Sequence, residues 1–180
     1  RNEADVIRFI QDFIDLPLPD VELIEQNVSK RSFIKGSPLY RNTLLKLDYN
    51  TQDAVARQIA TFLQQLHTIP VKKAQYARIG DSQMNRTREE WLSELETMQR
   101  KIHPYCTNYV KEYLQQIIQP AVDNEEFFEF QAVLIHGDLT PNHILFDKAS
   151  RKVSSIIGFG NAGFGDPAYD LGMLIDHLGE

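Results

Sequence analysis

Within residues 132–171 lie three apolar runs, AVLI at its start, then HILF and VSSII. Turn material separates them so closely that they read as short strands, with residues 147–151 as a hairpin connection. This constrains the fold more than any other feature, because the rest of the chain has helical periodicity. Val6, Phe9, Ile10 and Phe13 fall at i, i+3, i+4 and i+7, and two prolines at 17 and 19 forbid continuation of that helix. Two strand-like runs follow, at residues 21–26 and 31–35, before Gly36-Ser37-Pro38 breaks the chain. Val55, Ile59, Phe62, Leu63 and Leu66 form the stripe of a second helix, closed by His67 and Pro70.

Thr87 with Glu90 three residues on is a capping-box signature, opening a helix with the stripe Trp91, Leu95, Met98 and Ile102. After Pro104 another helix carries Tyr109, Tyr113, Leu114 and Ile117, and residues 123–130 read as a further short helix. The aromatic and methionine positions of these helices sit at core spacing and read as packing. Residues 167–178 return to helix.

At 180 residues the chain is long enough for one substantial core. No apolar run approaches the ~20 residues that span a bilayer, and the charged, amphipathic amino end is unlike a secretory signal. One cysteine, Cys106, excludes an intrachain disulfide framework and a thiolate zinc cage, which fits a reducing, cytoplasmic setting. Cys106 itself reads as a small apolar residue. A net charge of -6 disfavours a nucleic-acid surface and suits a cationic small substrate. The acidic residues Glu89, Glu90, Glu94 and Glu96 read as a solvated helix face.

The chemistry-bearing residues cluster in the strand-rich segment. His136, Gly137 and Asp138 leave the first apolar run, and a carboxylate there can accept a proton from a hydroxyl or orient it for attack on phosphorus. The plain alternative is a turn aspartate after glycine. His143, five residues on, can ligate a divalent metal or simply bond the loop, and Asn142 could replace it only in a loop one residue shorter. His136 can hydrogen-bond the turn. Asp166 before Pro167 suits a helix N-cap, and Asp170 could brace the catalytic loop from below.

Together, HGDLTPNHILFD and IIGFGNAGFGDPAYDL resemble the aminoglycoside phosphotransferase family, which has the protein-kinase-like fold. The histidine at 143, where asparagine is usual, is similar to the branch acting on the 2''-hydroxyl of aminoglycosides, and macrolide phosphotransferases look alike there. SFIKGSPL resembles the hinge and VARQIATFLQQLHTIP the helix after it. The resemblance implies an α+β fold, with a mostly helical large lobe, a short β-hairpin catalytic segment and a remnant of the small β lobe. It implies a division into residues 1–36, the small-lobe remnant and hinge, and residues 37–180, the large lobe.

The resemblance further implies ATP or GTP with magnesium as cofactors, and O-phosphorylation of an aminoglycoside-like hydroxyl as the reaction. A macrolide or another small molecule is the alternative acceptor. Asp138 would be the catalytic base and His143 a magnesium ligand. The backbone of Ser32, Phe33 and Ile34 would meet the purine, with Leu145 and Ile157 lining the other side. Glu3 is a candidate for the acid that pairs with a nucleotide-holding lysine.

Gly158 stands where the family has its metal-binding aspartate, and Asn161 where many relatives have a second. No glycine-rich strand-turn-strand precedes the first helix, and the chain stops soon after the Asp-Pro-x-x-Asp helix begins. The chain is therefore expected to be truncated at both ends and impaired in turnover, or to act as a kinase-like binding module.

Overall fold

The computed structural model describes residues 2–25 and 28–179. By internal contacts the chain divides into two compact units, Arg1–Met84 with Ala132–Glu180, and Asn85–Gln131.

The first unit opens with α1 (Asn2–Ile10), which buries Ala4, Val6, Ile7 and Ile10. The chain then turns, with the rings of Phe9 and Phe13 5.4 Å apart, into the hairpin β1 (Val21–Glu25) and β2 (Val28–Arg31). Its register pairs Val21 with Arg31 and Leu23 with Ser29. The strand expected at 21–26 is present over Val21–Glu25, and the one expected at 31–35 is corrected. The second strand lies earlier, and Gln26 falls outside the described residues. Ser32 closes the hairpin, donating its N–H to the Asp20 carbonyl (3.0 Å) while its Oγ accepts from the Asp20 N–H (2.8 Å). Residues 32–36 then run without a partner strand.

Ser37–Pro38, expected as a break, form a short strand β3. It pairs with β5 (Ile144–Asp147), which pairs with β6 (Lys152–Ile156), giving an antiparallel sheet ordered β3-β5-β6. A separate pair joins β4 (Val133–Ile135) to β7 (Gly163–Gly165). After α2 (Arg41–Leu44), α3 (Tyr49–His67) is capped by Asp48, whose Oδ1 accepts from the Thr51 N–H at 3.2 Å. It buries Thr51, Val55, Ile59, Phe62, Leu63 and Leu66, one stripe at i, i+4, i+8 spacing. The short α4 (Val71–Tyr76) buries Ala74. Buried residues of α1, α3, β4, β5 and β6 form one hydrophobic cluster.

The second unit holds α5 (Arg88–Ile102) and α6 (Asn108–Asp123). Thr87 and Glu90 form the capping box, at 3.2 and 2.8 Å. Arg88 Nη2 donates to the Val122 carbonyl at 2.8 Å, and Arg86 lies 5.5 Å from the Trp91 ring. No residue of either helix is buried. The stripes read from sequence as packing are only partly buried: Met98 is 39% exposed, Ile117 57% and Tyr109 76%. Two short helices are too small a set to enclose a core of their own. The expected helix at 123–130 is only a 3₁₀ turn, Glu125–Phe128, because Asn124 is extended and its side chain takes the Glu126 N–H at 3.0 Å.

After β7, α7 (Pro167–Leu178) completes the first unit. No helix among the described residues is long and apolar enough to cross a membrane.

Phe62→Ala, at a fully buried α3 position, is expected to destabilise the chain by about 3–5 kcal/mol. Met98→Ala is expected to cost under about 1 kcal/mol. Urea unfolding of the two variants checks the contrast, and equal costs would contradict this placement of the core.

Candidate active site

Strand β4 delivers His136, Gly137 and Asp138 onto a turn that is held from beneath. Asp170, in the first turn of α7, is completely buried. Its Oδ2 accepts from the His136 backbone N–H (2.9 Å) and its Oδ1 from the Gly137 N–H (2.9 Å). His67 Nε2, at the end of α3, lies 3.0 Å from the same Oδ2 and must be its donor. Three N–H groups from two segments thus converge on one carboxylate. Asp166 N-caps α7, accepting from the Ala168 N–H at 2.8 Å, and so fixes where Asp170 enters.

Gly137 has φ +75°, and a Cβ there would lie 2.6 Å from the Asn161 carbonyl and 2.9 Å from Ser82 Oγ. Backbone conformation and space both demand glycine at this turn. Ser82, buried, donates to the Asn161 carbonyl at 2.6 Å and ties the facing loop to the turn. Asn161 therefore serves here through its main chain.

His136 is fully buried, its ring 4.6 Å from that of Phe159, with Phe62 at 6.5 Å. Its Nε2 lies 3.0 Å from the Ile157 carbonyl, while Nδ1 accepts from the Asp138 N–H at 3.2 Å. A carbonyl can only accept, so the proton is on Nε2 and the ring is neutral. Burial lowers its pKa to about 4, against the raising influence of Asp170. The imidazole is thereby a structural pin that sets the direction of Asp138.

Asp138 leaves the pinned turn with its side chain 36% exposed. Buried Leu139 anchors the loop beyond it. His143 ends the 3₁₀ turn Pro141–His143, and its Nδ1 is 2.6 Å from the Asp138 carbonyl and 3.6 Å from Asp138 Oδ2. The loop is further tied by the Leu39 N–H, 3.2 Å from the Pro141 carbonyl, and by Tyr40 Oη donating to Asn142 Oδ1 at 2.7 Å. Asn142 thus faces Tyr40 and is engaged there. A cavity of about 490 Å³ beside the loop is lined by Tyr40, Arg41, Thr140, Asn142 and His177.

The half-buried Leu145 and Ile157 flank this centre on β5 and just beyond β6. Gly36 approaches Leu145 so closely that a Cβ would lie 3.0 Å from the leucine Cβ, which brings the segment after Ile34 onto that side chain. The Ser32 amide is already engaged with Asp20, and Phe33 is 90% exposed. Among the described residues no hydrogen bond engages the Phe33 or Ile34 backbone. Glu3 is paired with Arg31 (2.6 Å), and its other oxygen is buried without a partner among the described residues.

Gly158, φ +84°, brings no side chain to the centre. No group of three His, Cys, Asp or Glu among the described residues could hold a metal ion. His67, Ser82 and Tyr40 are the contributors that sequence reading missed. Only His67 left a trace there, as a polar residue next to the last apolar position of the α3 stripe.

The His136 ring makes stability pH-dependent. Unfolded histidine protonates near its ordinary pKa of about 6.5, the native ring only near 4. Between these values the unfolded state binds more protons, so stability falls as pH falls from about 6.5 to about 4, by on the order of 3 kcal/mol from this group. His136→Asn is expected to flatten that slope in urea titrations across the window. An unchanged slope would contradict the buried neutral ring.

A model of the phosphotransferase enzyme family, APH, matches residues 1–180. The GDP and kanamycin complex of the aminoglycoside phosphotransferase APH(2'')-IIIa is similar, with TM-score 0.83 and 24% identity, over 99% of this chain and 62% of that one. The ADP-bound APH(2'')-Ib has TM-score 0.72 and 24% identity over 98% and 59%. Macrolide 2'-phosphotransferase type I has TM-score 0.68 and 21% identity over 99% and 59%. The chain spans about three-fifths of the length of these solved chains. Its α+β fold is protein-kinase-like, and the chain belongs to the phosphotransferase enzyme family.

Proposed function

We propose that this chain has the fold elements of a small-molecule kinase, with the family chemistry of ATP- or GTP-dependent phosphorylation of an aminoglycoside-like hydroxyl. We further propose that transfer by the chain is impaired at Gly158. The observation that carries the reading is the held turn. Asp138 projects, partly exposed, from a backbone fixed through Asp170, His67 and the buried His136 ring. A carboxylate so placed accepts the proton of an acceptor hydroxyl, or orients it, as the hydroxyl oxygen attacks the terminal phosphorus. Most of the rate in phosphoryl transfer comes from such positioning and from charge stabilisation.

The nucleotide fits the side of the centre bounded by Leu145, Ile157 and the segment before Gly36. There the backbone of Phe33 and Ile34 would face the purine, with the Ser32 amide engaged elsewhere. In this reading residues 1–36 are the remnant of the small lobe and hinge. Glu3, with one buried oxygen unpaired, would meet a basic group from a part of that lobe. The neighbours solved with GDP, ADP and kanamycin support nucleotide and aminoglycoside as the ligand classes. A cytoplasmic setting, where nucleotide is available, goes with it.

Magnesium is the ion this family relationship implies, and it would neutralise the charge that develops on the phosphates. The donor set does not fit it: Gly158 supplies no ligand atom, and oxygen ligands suit this ion better than the one nearby imidazole. Losing several kcal/mol of charge stabilisation lowers turnover by about a thousandfold or more. That same feature favours a second reading, a nucleotide-binding module that does not catalyse.

Incubation with radiolabelled ATP or GTP, magnesium and a panel of aminoglycosides and macrolides tests the assignment. Slow product formation that Asp138→Ala abolishes is the expected result. Nucleotide binding without product would leave the non-catalytic module. Neither binding nor product would sink the proposal.

A further inference from the structure

His143 and Gly158 meet in one small volume. A Cβ built on Gly158 would stand 2.3 Å from His143 Cδ2, 2.5 Å from Nε2 and 2.7 Å from Cγ. The imidazole thus lies across the place from which any side chain at 158 would have to start. It is not a loose side chain that happens to point there. Nδ1 is 2.6 Å from the Asp138 carbonyl and 3.4 Å from Thr140 Oγ1. The His143 carbonyl takes the Ile157 N–H at 2.9 Å, and the ring centroid is 5.8 Å from that of His136. Its side chain is only 25% exposed.

The bond to a carbonyl also fixes the tautomer. The Asp138 oxygen can only accept, so Nδ1 carries the proton, and in the neutral ring Nε2 is turned toward the Gly158 main chain.

We propose that His143 and Gly158 work as one steric unit. The imidazole fills the place of the side chain missing at 158 and, through Nδ1–H, positions the Asp138 backbone instead of holding a divalent cation. His143 is then a positioning residue, and a side chain at 158 and the present pose of the ring exclude one another. The inference deepens the proposed phosphotransferase reading and rests on it for the meaning of position 158. The steric claim stands on the geometry and is tested without nucleotide.

The test is a thermodynamic cycle of Gly158→Ala, His143→Ala and the double variant, read by urea unfolding. Alanine meets the same unfavourable positive φ in both backgrounds, so that cost cancels and the coupling isolates the clash. Gly158→Ala is expected to shift the unfolding equilibrium about tenfold further with the His143 ring present than without it. Equal shifts in the two backgrounds would overturn the proposal. If Gly158→Ala does not fold while the double variant does, the clash is demonstrated in another way.

A spectroscopic arm uses the unaltered chain. Imidazole nitrogen NMR is expected to show His143 protonated on Nδ1, with no selective broadening on adding Mn²⁺ as the metal probe. The opposite tautomer, or saturable broadening at His143, would overturn it. Failure to bind ATP or GTP would count against the proposed function and leave this inference standing.

Discussion

One buried carboxylate organises the candidate site of this molecule. Asp170 takes the N–H groups of His136 and Gly137 and the ring of His67, and it is wholly out of water. A buried carboxylate left without donors would be very unfavourable, so the three donors and the acceptor are mutually obligatory. That obligation carries positional information across the fold. The end of α3, the first turn of α7 and the exit of β4 must meet at a single point. The direction of Asp138 follows from that meeting and from the neutral His136 ring above it.

Two glycines then separate what this framework can hold from what it can do. Gly137 is required by its positive φ and by the closeness of Ser82 and the Asn161 carbonyl, and it preserves the turn. Gly158 shares the positive φ, and there the loss of a side chain is chemical as well as steric. In the proposed reading, glycine there supplies no anionic ligand where phosphate charge would be met. The turn and the His136 pin are therefore in place whatever position 158 supplies. Membership of the phosphotransferase family describes the framework. In the proposed function, turnover depends on position 158, where glycine supplies no ligand atom.

Much of this was legible in the residues. The stripe from Val55 to Leu66 shows in the sequence because a single helix buries it, and periodicity carries that information. The turn at 136–138 and the capping by Asp166 were legible because glycine, proline and aspartate act through local backbone geometry. What escaped depended on distant partners. His67 and Asp170 are far apart in the chain, as are Tyr40 and Asn142, and nothing local marks such a bond. The stripes of α5 and α6 misled for the converse reason. Their spacing is that of a buried face, yet a unit of two short helices leaves those faces half-exposed. The register of the second strand turned on Ser32 bonding back to Asp20, a choice made by one hydroxyl and one amide.

The central claim is that the nucleotide-facing framework is retained while the metal position is lost. Calorimetric titration of ATP and GTP into the chain, with magnesium and then with a chelator in its place, tests this most directly. The account predicts that nucleotide binds and that magnesium leaves the affinity unchanged. A tenfold or greater gain in affinity with magnesium, about 1.4 kcal/mol, would contradict the lost metal position. No binding under either condition would contradict the retained framework.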